Sequence, residues 1–151
     1  MADHIRNQIR DRAVVAVTSL TTTGANVFQT PIITAEEQTL PALCVYVSSE
    51  SSGVDASVAG VLSRNILLSI DGYADASATV LDTLDLIAKE VEVAMATTGI
   101  VTSGGATLVS DFWLDSTEIE IDDTGARPLG IVRLAYLANY RTAYATPDVV
   151  A

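Results

Sequence analysis

The sequence predicts an α+β fold: a mixed, mainly antiparallel sheet of about four to five strands with one central amphipathic helix packed on it and an N-terminal helix beside it. Three observations predict this. Apolar residues in Asp75–Thr98 recur at spacings of three and four. Leu62–Tyr73 and Leu129–Tyr144 instead alternate with a period of two. The order along the chain is helix, strand pair, helix, strand pair, so one sheet face is available to receive the apolar stripe of the second helix.

That second helix organises the rest. Val80, Leu81, Leu84, Ile87, Ala88, Val91, Ala94 and Met95 form one broad stripe, while Asp82, Asp85, Lys89, Glu90 and Glu92 mostly point elsewhere. Asp75 or Ser77 is the expected N-cap, and Gly99 the expected stop. The first helix spans Asp3–Leu20, with Ile5, Ile9, Ala13, Ala16, Val17 and Leu20 on one face. Gly24 ends the polar run after it, because glycine tolerates positive φ. Val27-Phe28, followed by Pro31, reads as an edge strand or extended arm. Thr34–Pro41 is an expected loop and Ala42–Val47 an expected strand, continuous in apolar and β-branched types.

Ser48–Ala59 is small and polar, and is expected to be a flexible loop. In Leu62–Tyr73, Leu62, Ile66, Leu68 and Ile70 share one parity; Ser63, Asn65, Ser69 and Asp71 share the other. Thr102-Ser103-Gly104-Gly105 is a turn-like break, and Leu108–Asp122 is extended. Asp122–Pro128 carries the turn formers of a hairpin connection. In Leu129–Tyr144, Val132, Leu134, Tyr136, Ala138 and Tyr140 face one way, Arg133, Asn139 and Arg141 the other. Thr146-Pro147 is expected to end this strand and leave a loose tail. Leu67, Ile131 and Leu137 fall on the polar parity, so a second subunit could cover part of that face.

At 151 residues the chain is expected to be one domain, 1–151, and no linker or repeat interrupts it. Its apolar runs are far short of the ~20 residues that span a bilayer, so no membrane partner is expected. Met1–Arg12 is charged and lacks an apolar core, so it does not read as a secretory signal. The expectation is a cytosolic or particle-associated soluble protein. The formal net charge is −11, and Lys89 is the sole lysine. Generic affinity for nucleic-acid backbones does not fit that balance.

Catalytic chemistry finds little support. His4 is the sole histidine, at the start of a helix, and no feature pairs it with a particular serine. Cys44, the sole cysteine, lies in the apolar run LCVYV and reads as a buried inert thiol. One Cys and one His cannot build a zinc site of the usual kind. Glu118, Glu120, Asp122 and Asp123 lack calcium-loop spacing. Gly104-Gly105 lacks the spacing of a dinucleotide fingerprint. Trp113, in DFWLD, reads as a sheet or interface aromatic. No catalytic residue, cofactor or metal is expected, and an enzyme is not the expected class.

Four segments carry a family resemblance: DHIRNQIRDRAVVAVTSLTTTGANVF, TLPALCVYVSSE, DGYADASATVLDTLDLIAKEVEVAM and TEIEIDDTGARPLGIVRLAYLANYRTAYATPD. In this order the chain resembles tail terminator proteins of long-tailed bacteriophages, the lambda-type minor tail protein U family. Gln29–Glu37 lies outside that likeness. The resemblance implies an α/β subunit that forms a ring of six-fold symmetry on the head-proximal end of the tail tube. It further implies that the ring stops tube polymerisation and offers the surface for head and neck attachment. The implied partners are the protein itself, the tail tube protein and a head-completion or neck protein. DNA would pass through the lumen without specific binding. The implied location is the virion, and the host cytoplasm during assembly. A ring needs two different patches on each subunit. The N-terminal helix, the Ser48–Ala59 stretch and the acidic hairpin are candidates for them. Asp122, Asp123, Arg127, Glu118, Glu120, Arg133 and Arg141 are the candidate subunit or tube interface residues. The alternatives are another small neck or head-completion ring protein, or a small ligand-binding or hydrolase-type α+β domain.

Overall fold

A computed structural model describes residues 3–30, 39–98, 107–125 and 127–151. The expected proline break at Pro31, the Gly99 stop and the Thr102–Gly105 turn lie outside the described residues, as does most of the loop expected over Thr34–Pro41. In chain order the elements are α1 (Ile5–Val17), β1 (Val27–Phe28), β2 (Ala42–Val54), β3 (Val61–Asp75), α2 (Val80–Thr98), β4 (Asp111–Asp122), β5 (Leu129–Ala143) and β6 (Thr146–Val150). The six strands form one mixed sheet in the order β1-β2-β3-β5-β4, with β6 pairing the end of β5. Only β1 runs parallel to its neighbour; the other pairs are antiparallel. The fold class is therefore the expected α+β one, with two short strands added to the four long ones.

Register explains the core. Val45, Ile70 and Leu134 lie side by side across three strands, as do Val47, Leu68 and Tyr136. This face receives Val80, Leu84, Ile87, Val91 and Met95 of α2 and Ile5, Ile9, Ala13 and Val17 of α1, forming one buried cluster. The stripe of α2 is narrower than expected. Leu81 is 55% exposed, because it sits on the helix flank away from α1. Glu90, which accepts a hydrogen bond from the Thr22 amide at 3.3 Å, marks the α1 side. Leu81 precedes it by about two and a half turns and so lies on the opposite flank.

Helix α1 is shorter than the expected Asp3–Leu20. His4 caps it, Nδ1 accepting from the Arg6 amide at 3.2 Å. It ends before Ser19 and Gly24, both at positive φ. Of the two caps considered for α2, Asp75 stays in β3 and binds Arg127 instead. Ser77 holds the turn, its carbonyl accepting from the Val80 amide at 3.2 Å.

Two expected loops are strands. Ser48–Val54 belongs to β2 and pairs with β3 from Ser49↔Leu67 to Val54↔Leu62, after a register shift at Ser48. The backbone of β3, fixed on its other side by β5, holds these small residues in the ladder despite their weak strand preference. Only Asp55–Gly60 turns, with Asp55 Oδ1 accepting from the Ser57 and Val58 amides at 2.8 and 3.0 Å. The tail is likewise ordered. Thr142 pairs with Val150, the Ala151 amide donates to the Arg141 carbonyl at 2.8 Å, and Gln8 Nε2 donates to the Asp148 carbonyl at 3.1 Å.

Candidate functional site

Among the described residues the helices cover one face of the sheet and leave much of the other face open. Register arranges that open face in rows. Trp113, Leu137 and Leu67 make an apolar row, and Glu118, Arg133 and Asp71 make a charged one. Glu120, Ile131 and Tyr73 follow. Trp113 is exposed and Leu67 and Leu137 are half-buried. Ile131 is different: the chain itself buries it, with Cys44, Tyr73 and Leu129 and beside Phe28, Leu40 and Tyr46.

The candidate interface residues divide into three places. Glu118, Glu120 and Arg133 come together on the open face, where Arg133 Nη1 donates to Glu120 at 3.2 Å. Asp122, Asp123 and Arg127 sit at the β4–β5 hairpin. Asp122 Oδ1 accepts from the Thr124 amide and hydroxyl at 3.1 and 2.7 Å, a self-contained turn. These bonds hold its carboxyl below the usual range. Asp123 is exposed. Arg127 leans back to β3 and donates to both oxygens of Asp75, at 2.6 and 2.9 Å. Arg141 lies at the far end of β5, its Nε 2.9 Å from Asp55 Oδ2. It pins the β2–β3 turn rather than joining the hairpin.

Two polar centres escaped the sequence reading. On the open face Asp71 is almost fully buried. Tyr46 donates to its Oδ2 at 2.8 Å and Arg133 Nε stands 3.7 Å away, but Oδ1 has no hydrogen-bond partner among the described residues. Burial raises the carboxyl pKa against the opposing pull of Tyr46 and Arg133. Tyr46 is pushed up to about 12, chiefly by burial.

The second centre lies on the helix-covered face. Glu50 accepts from Arg6 at 2.7 Å, from Arg64 at 3.4 Å and from the Tyr140 hydroxyl. Arg64 Nε in turn donates to Thr142 Oγ1 at 2.8 Å. This network ties α1 to β2, β3 and β5. Arg64 and Tyr140 fall on the core parity of their strands, but Glu50 reaches that face only through the register shift at Ser48.

His4 Nδ1 is occupied by a backbone amide, and burial lowers the imidazole pKa, with Arg6 adding to the effect. Burial pushes the Cys44 thiol up to about 11, so it is protonated at neutral pH. Among the described residues no group of three or more His, Cys, Asp or Glu side chains is placed to hold a metal ion. No helix among them is long and apolar enough to cross a membrane.

No protein-family model matches the chain, and no curated protein is similar to it in sequence. Its fold is similar to that of a chain from the virion of a native gene transfer agent particle. The TM-score is 0.55 at 16% identity, over 92% of each chain. At that identity the likeness concerns the fold.

Proposed function

We propose that this chain is a virion structural protein of a phage-like particle. In this reading it is a tail terminator, a subunit of a homohexameric ring on the head-proximal end of the tail tube. The ring stops tube polymerisation and presents the surface that the neck or head-completion protein engages. The observation that carries the reading is the fold likeness to a virion chain, which runs over 92% of both chains and so involves the whole subunit. The family resemblance of the four sequence segments narrows it from virion component to tail terminator.

Physical features support the role. The reading needs no catalytic residue, cofactor or metal, and the sole histidine and sole cysteine are engaged or buried. A formal charge of −11 suits a lumen through which DNA slides, because like charges repel and the backbone finds no basic lining to grip. The open sheet face and the edge strand β4 leave surface for neighbours.

Removal of the gene from a producing phage, followed by electron microscopy of the particles, tests the reading. Tails of uncontrolled length without joined heads are the expected result. Normal-length tails that fail only in head joining would instead assign the chain to a neighbouring neck ring. Intact, infectious particles would remove the structural role altogether.

A further inference from the structure

Eight of the twelve large apolar side chains that stay exposed among the described residues gather in two groups, and the groups sit at opposite ends of the sheet. The first lies where the β2–β3 turn meets the β5–β6 turn, joined by the Tyr144 amide donating to the Gly60 carbonyl at 3.0 Å. Val54, Val58, Tyr144, Val149 and Val150 are 36–71% exposed at this end, Val149 and Val150 on opposite faces of β6. The second lies on the helix side of edge strand β4. Ile119 and Ile121 face Val132 and Gly130 of β5 and stay about half exposed, although Val80 of α2 reaches Gly130. With Leu81 on the outer flank of α2 they are 47–55% exposed. Gly130 and Thr142 mark the two ends along β5, about 40 Å apart.

The charges at these two ends differ. Among side chains charged at neutral pH, Ser51–Ser63 contains one, Asp55, which stands against Arg141, and Thr142–Ala151 contains one, Asp148. The first end is therefore nearly neutral. Asp82 and Asp85 lie on α2 near the second, and Glu118, Glu120 and Asp122 alternate with its isoleucines along β4. Arg133 offsets Glu120 and Arg127 offsets Asp75, so this end keeps a net acidic balance. Two copies of a chain of charge −11 meet with least local repulsion where one contributes an uncharged surface.

We infer that the neutral apolar end of one copy packs on the Leu81–Ile119–Ile121 strip of the next. The inference rests on the ring reading and specifies its contact. The two patches are different and lie at opposite ends, so the contact is heterologous, the kind that closes into a ring when the rotation allows. It brings apolar area together and places no carboxylate cluster against another.

Light scattering over a concentration series, with circular dichroism for the fold, tests it on the full chain. Val58→Asp and Ile119→Asp are each expected to raise the concentration for half-assembly about tenfold or more. Val15→Asp, on the exposed face of α1 outside both patches, is expected to leave it unchanged. Should Val58→Asp fail to fold, Val58→Ser removes apolar area without adding a charge and shifts assembly the same way. Val58→Cys mixed with Ile119→Cys, treated with a short bismaleimide, is expected to give cross-linked dimers that neither variant forms alone, since Cys44 is buried. Wild-type assembly retained by both aspartate variants, or no dimer specific to the mixture, overturns the inference alone. A wild-type chain that stays monomeric both in solution and with tail tubes overturns the ring reading, and this contact with it.

Discussion

Gly72 of β3 lies directly beneath Ile87 of α2: a Cβ added at Gly72 would stand 2.7 Å from Ile87 Cγ2 and 3.0 Å from Val132 Cγ1. The close seating of the helix on the sheet depends on that missing methyl group. Gly72→Ala is expected to destabilise the chain by about 1–3 kcal/mol in urea denaturation. Leu84→Ala, which opens a cavity in the same layer, is expected to cost about 2–5 kcal/mol. In a Gly72→Ala background, Ile87→Ala is expected to cost less than it does alone, because the new methyl group fills part of the space. Strict additivity would mean that the helix has moved off the sheet.

Glu50 holds two arginines and a tyrosine hydroxyl, and Arg64 beside it is nearly buried. Removing only the carboxylate leaves a buried guanidinium without its counter-charge. Glu50→Ala is therefore expected to lose roughly 3–5 kcal/mol. Replacing Glu50, Arg64 and Tyr140 together with apolar residues of similar size is expected to cost far less than the sum of the single changes. Equilibrium unfolding of the four variants checks both statements.

These two centres also show what the sequence made legible. The stripe of α2 and the alternation in β3 and β5 were readable because burial on one face imposes the periods directly. Ser48–Val54 was not readable as a strand. Its serines and glycine have weak intrinsic preference, and pairing with β3 decides their conformation. Glu50 was hidden for the same reason, since its place on the core parity exists only once that register is known. The β6 tail misled through Pro147, which an edge strand tolerates. Of the candidate interface residues, Glu118 and Glu120 share a strand face by alternation, whereas Arg133 comes beside them only through the β4–β5 register. The tie between Arg127 and Asp75 joins the β4–β5 connection to the end of β3 and has no local signal.

His4 gives the stability a pH dependence. Its Nδ1 accepts from the Arg6 amide, so the capped helix needs the neutral imidazole. Its folded pKa is lowered from 6.5, first by burial and then by Arg6. Below 6.5 the unfolded chain takes up a proton that the folded chain refuses, so stability falls with pH from there down to the lowered folded value. His4→Asn keeps a capping acceptor and removes the titration. Unfolding midpoints measured from pH 8 to pH 5 are expected to fall more steeply for the wild type than for His4→Asn. Parallel slopes would show that the cap does not titrate.

Asp71 has the opposite sign. Burial raises its folded pKa above 3.8, so the folded chain holds the proton more tightly than the unfolded one. The ionised form therefore weakens the fold, with the loss complete above the raised pKa and absent below 3.8. Asp71→Asn retains an oxygen for the Tyr46 hydroxyl and is expected to stabilise the chain at neutral pH. That gain is expected to disappear as the pH approaches 3.8. A destabilised Asp71→Asn at pH 7 would mean that the Arg133 contact outweighs desolvation.

On the proposed tail-terminator reading, the β4–β5 hairpin offers the sharpest test of which loops would touch the tube. A terminator must recognise a finished tube end without seeding more tube, so its two ring faces must differ, and projecting loops are where such differences reside. Asp123 is exposed at this tip, while Arg127 is tied to Asp75 by two hydrogen bonds. Reversing Arg127 alone would set a carboxylate against Asp75, confounding a contact effect with a local one. Asp123→Arg with Arg127→Glu and Asp75→Arg restores the internal pair in reversed order and still inverts the tip. This variant is expected to keep the circular dichroism of the wild type. If the tip meets the tube, capping slows, because charge reversal at a rim acts mainly on association rate and specificity. Electron microscopy of an infection complemented with the variant would then show a broadened distribution of overlong tails. Normal tails with normal rings would eliminate the hairpin as the contact. Overlong tails from a folded variant would support termination directly, because neither an enzyme nor a ligand-binding domain predicts tube overgrowth.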